Sequence, residues 1–186
     1  MTTPIEETPP LAASRGSDFT VLIPARYAAS RLPGKPLREI GGLPLVCRVV
    51  ERAAAAGARQ VAVATDDERV AEAVRHHGGQ AVMTGQECTS GTDRLAEAAA
   101  ALELADQEPV VNVQGDEPFL EPALIREVAE ALAAEPVREM ATAAHPLTDW
   151  SRVLDPNTVK VVCDGAGDAL YFSRAPVPWP REVLGE

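Results

Sequence analysis

The chain alternates between two spacings of hydrophobic residues. Short apolar runs, typical of buried strands, are each followed by a longer stretch in which apolar residues recur every three or four positions, typical of amphipathic helices. The runs predict strands at 19–23, 60–64, 81–83 and 110–113, and the longer stretches predict helices at 45–56, 68–77, 90–104 and 122–134. Since no hairpin signal interrupts this alternation, right-handed crossovers are predicted to join the strands into a mostly parallel sheet in a three-layer α/β fold.

The pattern changes after residue 136. A further strand is predicted at 140–144, and the apolar runs 158–163 and 169–172 flank Asp-Gly-Ala-Gly-Asp, a composition typical of a hairpin turn. We expect this late hairpin to add antiparallel strands to the parallel sheet and to form a wall beside a site at the sheet's edge.

A purely basic loop follows the first predicted strand. The stretch 19–37 reads FTVLIPARYAASRLPGKPL, in which Arg26, Arg31 and Lys35 occur without a carboxylate. Its prolines limit the freedom of the backbone, and Gly34 allows a ligand to approach the main chain closely. Such a loop could simply be a solvated connection. Ligands of open α/β sheets bind at the carboxyl ends of the strands, however, and this position favours an anion-binding site.

An acidic residue follows the last predicted parallel strand. Asp116 lies in the sequence VNVQGDEP, so its carboxylate should emerge at the same sheet edge as the basic loop. A carboxylate opposite phosphate-binding cations is explained by a divalent ion between them, because Mg²⁺ is commonly held by one or two carboxylates together with substrate phosphates. The alternative is an aspartate that only caps a turn.

The segment Ser-Gly-Thr-Asp-Arg at 90–94 has two interpretations. Its small polar residues are typical of a helix N-cap. A helix N-terminus also attracts anions, and Arg94 in the first turn is unfavourable for the helix dipole unless a negative group is nearby.

Composition limits the class of ligand. The 186 residues are 46% hydrophobic and 24% charged, as expected for one globular domain, and the formal net charge is −11. An acidic chain is a poor partner for nucleic acid or an anionic membrane, whereas a local basic loop suits a small anionic molecule. The sequence also lacks a P-loop and a G-x-G-x-x-G fingerprint, so an ATPase or a dehydrogenase is not supported.

The cysteines and the apolar runs indicate the cellular compartment, and the composition of the first residues indicates where the domain begins. Three scattered cysteines without a C-x-x-C pair indicate a reducing cytoplasm rather than a disulfide framework. No apolar run is long enough to span a bilayer, and the start lacks the features of a signal peptide. We expect 1–17 to be a disordered tail and 18–186 to be a single domain.

Three stretches resemble one enzyme family. They are IPARYAASRLPGKPL, VNVQGDEP and ALYFSRAPVPW, and the similarity runs from Phe19 to about Trp179. All three resemble the 3-deoxy-manno-octulosonate cytidylyltransferases, which join CTP and the acid sugar Kdo into CMP-Kdo for lipopolysaccharide biosynthesis. The resemblance implies a Rossmann-like nucleotidyltransferase fold.

The resemblance also implies roles for individual residues. Catalytic roles fall to Lys35, Arg31 and Asp116, with Asp116 binding magnesium, and the nucleotide site is formed by Ala25, Arg26, Arg31, Lys35, Arg94 and Gln114. The sugar site would contain Tyr171 and Arg174. Arginine suits the Kdo carboxylate because a guanidinium donates two parallel hydrogen bonds, although a surface ion pair is the simpler interpretation of Arg174.

The sequence departs from the family at both ends. The family continues well beyond residue 186 with a second magnesium-binding carboxylate and much of a subunit interface. We therefore expect a truncated chain or a fragment, and a homodimer for the full-length protein. One alternative function is a CTP-binding domain without turnover. The other is a cytidylyltransferase for a different acid sugar, either 8-amino Kdo or sialic acid.

Overall fold

The computed structural model describes residues 17–28, 32–134 and 138–179. The chain divides into two units, Met1–Ala141 and Thr142–Glu186. The first contains strands β1 (Ser17–Ala25), β2 (Glu39–Ile40), β3 (Leu43–Pro44), β4 (Ala58–Thr65), β5 (Gln80–Met83) and β6 (Val110–Asn112), and helices α1 (Leu45–Ala54), α2 (Glu68–His76), α3 (Gly91–Ala101) and α4 (Pro122–Ala134). The second contains helix α5 (Trp150–Leu154) and strands β7 (Lys160–Cys163) and β8 (Ala169–Ser173).

Strand β1 lies inside a four-stranded parallel sheet of order β5-β4-β1-β6. Val21 of β1 is in register with Val61 of β4 and with Val111 of β6. The predicted parallel sheet is confirmed, and the sheet's four strands are those that the apolar runs predicted. A small antiparallel pair, β2 with β3, was not predicted. It turns through two glycines that both have positive φ, Gly41 and Gly42.

The two faces of β1 pack against different helices. Val21 and Ile23 belong to a buried cluster that includes residues of α1, α2 and α4, whereas Leu22 belongs to a second cluster with residues of α3. Successive side chains of a strand point to opposite faces, so both faces of β1 are covered. Burying one such aliphatic side chain contributes about 1.5–3 kcal/mol, and all three are fully buried. This arrangement confirms the predicted three-layer fold.

Two helices begin at the predicted caps. The Asp67 side chain accepts a hydrogen bond from the Arg69 N–H at the start of α2. At the start of α3, Ser90 and Asp93 form a capping box in which each side chain accepts from the other residue's backbone N–H. These bonds satisfy helix N–H groups that have no partner within the helix.

The second unit contains the predicted hairpin. Strands β7 and β8 pair antiparallel, with Lys160 opposite Ser173. They form a two-stranded sheet of their own, so the expected addition to the parallel sheet is not found among the described residues. The buried Lys160 ammonium joins three parts of this unit by donating hydrogen bonds to the carbonyls of Asp155, Thr158 and Arg174.

The strand predicted at 140–144 is wrong, because the structure has no strand there. Three of the five residues in this run are alanine, which is depleted in strands. Strands β7 and β8 use each other as partners, and no other strand of the second unit's described part is available to pair with the run.

The remaining sequence predictions on organisation are tested only in part. The tail predicted for 1–17 lies outside the described residues except for Ser17, which begins β1. A single domain over 18–186 stays a prediction. No helix in the described ranges combines the length and the apolar character needed to cross a membrane.

A polar cluster fixes the amino-terminal part of β1. The buried Thr20 hydroxyl donates a 2.5 Å hydrogen bond to the Glu108 carboxylate, which also forms an ion pair with Arg59. The Glu108 side chain is only 10% exposed. The hydrogen bond from Thr20, and after it the contact with Arg59, holds the pKa of Glu108 below its usual value. The cluster therefore stabilises the fold more when Glu108 is ionised than when it is protonated.

The variant Glu108→Gln tests this cluster. Because its pKa is lower in the folded chain, ionised Glu108 stabilises the fold above its unfolded pKa of about 4.3, and this contribution is lost as the pH falls through the folded pKa. We expect the variant to lose about 1 kcal/mol of unfolding free energy at neutral pH, the difference between a charged and a neutral hydrogen bond. The loss should shrink as the pH falls below the unfolded pKa.

Urea unfolding followed by far-UV circular dichroism measures the effect, since both tryptophans, Trp150 and Trp179, lie in the second unit. Glu130→Gln on the exposed side of α4 is the control and should match the wild type. A loss in Glu108→Gln that does not change with pH would contradict the prediction.

Candidate functional site

A cavity of about 260 Å³ lies where β1 and β6 end. These are neighbouring parallel strands, so their carboxyl ends meet at one edge of the sheet, the usual position of a ligand in open α/β folds. The lining comes from the end of β1, the basic loop, the start of α3 and the loop after β6. It consists of Pro24, Ala25, Arg26, Lys35, Pro36, Gly91, Gln114, Gly115 and Asp116.

Lys35 and Asp116 form an ion pair in this cavity. The Lys35 Nζ atom is 2.5 Å from Asp116 Oδ2, and the two side chains are 38% and 49% exposed. Ion pairs with this exposure contribute about 0–1 kcal/mol. The pair can therefore open at little cost when a ligand offers other partners to both groups.

Backbone geometry fixes the turn that carries Lys35. Lys35–Leu37 form one turn of 3₁₀ helix, preceded by Gly34 with φ 72°. The N–H of Gly34 donates to the Tyr27 carbonyl at 2.8 Å, and the N–H of Lys35 donates to the Leu32 carbonyl at 3.1 Å. A positive φ is readily available to glycine. The structure thus gives a conformational reason for glycine at this position, and close approach of a ligand to Gly34 stays a prediction.

The loop after β6 packs directly on the end of β1. The N–H of Val113 donates to the Leu22 carbonyl at 3.1 Å. A Cβ atom on Gly115 would lie 2.7 Å from the Pro24 carbonyl oxygen, closer than real contacts allow. Glycine at 115 is therefore needed to bring Gln114 and Asp116 to the cavity.

Helix α3 directs its N-terminus toward the cavity through Gly91. The Asp93 side chain accepts hydrogen bonds from the Thr89 hydroxyl and the Ser90 N–H, at 2.7 and 2.9 Å. These bonds lower the pKa of Asp93, that from Thr89 most strongly. The side chains of Ser90 and Asp93 thus form hydrogen bonds within the cap. Gly91 is the residue of this segment that reaches the cavity.

The placement of Arg94 differs from the prediction. Its side chain is fully buried and lies outside the cavity lining, with one guanidinium nitrogen 2.8 Å from Asp66 Oδ2 and another bonded to the Thr84 hydroxyl. The negative group expected near Arg94 is therefore Asp66 rather than a bound ligand. The structure thus places Arg94 outside the cavity lining, and its role near the nucleotide stays a prediction.

The other predicted site residues separate into three groups. The structure brings Ala25, Arg26 and Gln114 to the cavity beside the ion pair, whereas Arg31 lies outside the described residues. In the second unit, Tyr171 is half-exposed on β8 and the Arg174 guanidinium donates to the Pro156 carbonyl at 2.8 Å.

Sequence reasoning assigned four of the lining residues to no site, namely the prolines Pro24 and Pro36 and the glycines Gly91 and Gly115. The sequence did offer a signal for Gly115, because it lies between two predicted site residues, Gln114 and Asp116. For Gly91 no signal stood out beyond the capping pattern itself.

The donor groups at the cavity fit a metal shared with a ligand. In the described part of the chain no group of three or more His, Cys, Asp or Glu side chains could hold an ion by itself. Asp116 supplies one half-exposed carboxylate. Mg²⁺ often binds through one or two carboxylates and the oxygens of substrate phosphates, so a single aspartate beside cationic side chains suits it.

A parallel α/β sheet with a cation, a carboxylate and a helix N-terminus at one edge defines a nucleotide-binding type of α/β protein. Comparison with known families makes this specific. Residues 20–186 match the cytidylyltransferase family, and the chain belongs to that family.

Several relatives support this assignment. The chain is 59% identical over 164 residues to the 3-deoxy-manno-octulosonate cytidylyltransferase of Idiomarina loihiensis. The matched region covers 88% of this chain and 65% of the relative. The chain thus spans about two thirds of the length of that curated relative. Among solved structures, CMP:2-keto-3-deoxy-manno-octonic acid synthetase complexed with CTP has a TM-score of 0.82 at 43% identity, over 91% of this chain and 69% of its own.

A more distant structure shares the fold alone. A nucleotidyl transferase from Methanothermobacter thermautotroptrophicus has a TM-score of 0.51 at 22% identity, over 62% of this chain and 58% of its own. Together with the synthetase structure, it establishes the Rossmann-like nucleotidyltransferase fold predicted from the sequence.

The variant Gly115→Ala tests the close approach of the two loops at the cavity. The added methyl group would press on the Pro24 carbonyl, and we expect a loss of about 1–3 kcal/mol in unfolding free energy. Urea unfolding with circular dichroism measures it. Gly165→Ala in the hairpin turn is the matched control, because a Cβ atom there would meet nothing within 4 Å. Wild-type stability of Gly115→Ala would contradict the packing argument.

Proposed function

We propose that this chain carries out the cytidylyl transfer that activates Kdo, in which CTP and 3-deoxy-D-manno-octulosonate give CMP-Kdo and diphosphate. The reaction would serve lipopolysaccharide biosynthesis in the cytoplasm. The observation that carries the proposal is the meeting of Lys35 and Asp116 in one cavity at the carboxyl edge of the sheet. The identity with the Idiomarina loihiensis enzyme supports the choice of CTP and Kdo as substrates.

The cations of the cavity would bind the triphosphate of CTP. Arg26 and Lys35 line the cavity, in a chain whose formal net charge is −11. An anionic ligand is therefore attracted to this place and repelled from most others. Arg31 would join them, a role that rests on the family resemblance. The backbone at Ala25 and the Gln114 amide would border the nucleotide.

Binding would exchange the partners of the ion pair. Lys35 would leave Asp116 for phosphate oxygens, and Asp116 would hold magnesium together with the phosphates. When bound, magnesium neutralises part of the phosphate charge. Because the pair is half-exposed, separating Lys35 from Asp116 costs little free energy. The negative charge of the triphosphate would favour the separated arrangement.

The chemical step would need positioning more than covalent help. The anomeric hydroxyl of Kdo attacks the α-phosphorus, a new oxygen–phosphorus bond forms, and the bond to the departing diphosphate breaks. Lys35 would stabilise the charge that grows on the diphosphate, because the turn already holds its backbone at the cavity before the reaction begins. Lys35 is therefore the proposed catalytic cation.

The second unit would supply the sugar site. Arg174 would bind the Kdo carboxylate through paired hydrogen bonds, and Tyr171 would contact the sugar. Recognition of this carboxylate is common to Kdo and to other acid sugars, so Arg174 would fix the class of substrate rather than the particular sugar.

Removing the ammonium tests the catalytic role. We expect Lys35→Ala to lower diphosphate release from CTP and Kdo by about 10²–10³-fold, the usual effect of losing one preorganised electrostatic group, with an unchanged circular dichroism spectrum. Arg38→Ala is the control, since Arg38 is an exposed cation of the same turn outside the cavity lining. Wild-type turnover in Lys35→Ala would refute the role, and CTP binding without turnover in the unaltered chain would refute the proposed activity.

Removing the carboxylate tests the metal. In calorimetric titrations we expect magnesium to increase the affinity of the wild type for CTP and to have little effect on Asp116→Asn, because the variant lacks the proposed ligand. Glu117→Gln removes the neighbouring exposed carboxylate, outside the cavity lining, and should respond to magnesium like the wild type. A full magnesium response in Asp116→Asn would exclude Asp116 as the ligand.

A further inference from the structure

Tyr27 contacts both the turn that carries Lys35 and helix α2. The Arg69 guanidinium carbon is 3.5 Å from the centre of the Tyr27 ring, a distance at which a cation is attracted to an aromatic face. A Cβ atom on Gly34 would lie only 3.2–3.3 Å from atoms of the same ring. The tyrosine side chain therefore packs against the backbone of Gly34 while an arginine stacks on it.

The main chain of Tyr27 makes a second contact with the same glycine. The Gly34 N–H donates to the Tyr27 carbonyl at 2.8 Å, and Lys35 follows immediately. One residue thus holds the turn through its ring and through its carbonyl. A shift of the ring would press on Gly34 and on the backbone of Lys35, whose ammonium is 2.5 Å from Asp116.

Arg69 is itself fixed by Asp67. Its Nε atom and a terminal nitrogen donate to the two carboxylate oxygens, at 2.9 and 2.6 Å, and its backbone N–H donates to the same side chain at 3.0 Å. The side-chain bonds from Arg69 are the main cause of the lowered pKa of Asp67. A guanidinium held in this bidentate geometry presents a rigid plane for stacking.

We propose that Tyr27 and Arg69 are positioning residues for Lys35, holding its ammonium where the departing diphosphate would need it. This inference rests on the proposed function. Helix α2 contributes no residue to the described cavity lining, so Arg69 would act on the reaction only through the stack. A misplacement of about 1 Å can lower a rate by about 10²-fold, which is why a contact outside the cavity can matter.

The first experiment compares four variants by steady-state diphosphate release with CTP, Kdo and magnesium. Tyr27→Leu and Arg69→Met remove the stack, and we expect each to lower kcat by about tenfold while the KM for Kdo changes by less than about twofold. Tyr27→Phe keeps the aromatic ring and should therefore retain the wild-type kcat. Arg75→Met is the control, because Arg75 is on the same helix and pairs with Glu68 instead.

The second experiment needs no substrate. Hydrogen exchange of the Gly34 amide reports whether the turn is held, and it should become faster in Tyr27→Leu and Arg69→Met only. The Gly79 amide, which donates to Val74 at 2.9 Å, reports on the end of α2 and should exchange as in the wild type. If the wild type shows no turnover, the proposed function fails, and Gly34 exchange still decides whether the stack holds the turn.

Three results would overturn the positioning role. The first is wild-type kcat in Tyr27→Leu and Arg69→Met. The second is an equal loss of kcat in Tyr27→Phe, which would assign the effect to the hydroxyl. The third is faster exchange at Gly79 together with Gly34, which would mean that the substitutions loosen the helix as a whole.

Discussion

The Lys35 ammonium meets a carboxylate 81 positions further along the chain because β1 and β6 are neighbours in a parallel sheet. Two glycines support this meeting. Gly34 sets the turn that carries the cation, and Gly115 lets the loop with Asp116 lie on the end of β1. The pair is open to solvent, so either charged group can exchange its partner at little energetic cost.

Strand β1, whose end forms one side of the cavity, is buried on both faces. Its side chains alternate between a cluster that includes residues of three helices and one packed against α3, and each residue of the strand centre is fully buried. The end of β1 and the start of α3, which both line the cavity, are therefore attached to a well-packed part of the fold.

Sequence pattern predicted the parallel sheet and its helices because apolar spacing reflects which side chains face a core. It also predicted the basic loop and Asp116, since both follow strands. It failed at 140–144, where alanine-rich composition carried little strand preference, and it did not foresee that Arg94 pairs with Asp66, 28 positions away. Contacts of this range, like the stack of Arg69 on Tyr27, depend on tertiary packing that no local pattern encodes.

The polar cluster around Thr20 and Glu108 lies toward the opposite end of β1 from the cavity. One strand thus separates the residues of the polar cluster from those that line the cavity. Engineering of the ligand-facing loops can leave the anchoring cluster intact, and thermostabilising changes at the anchor can leave ligand recognition untouched.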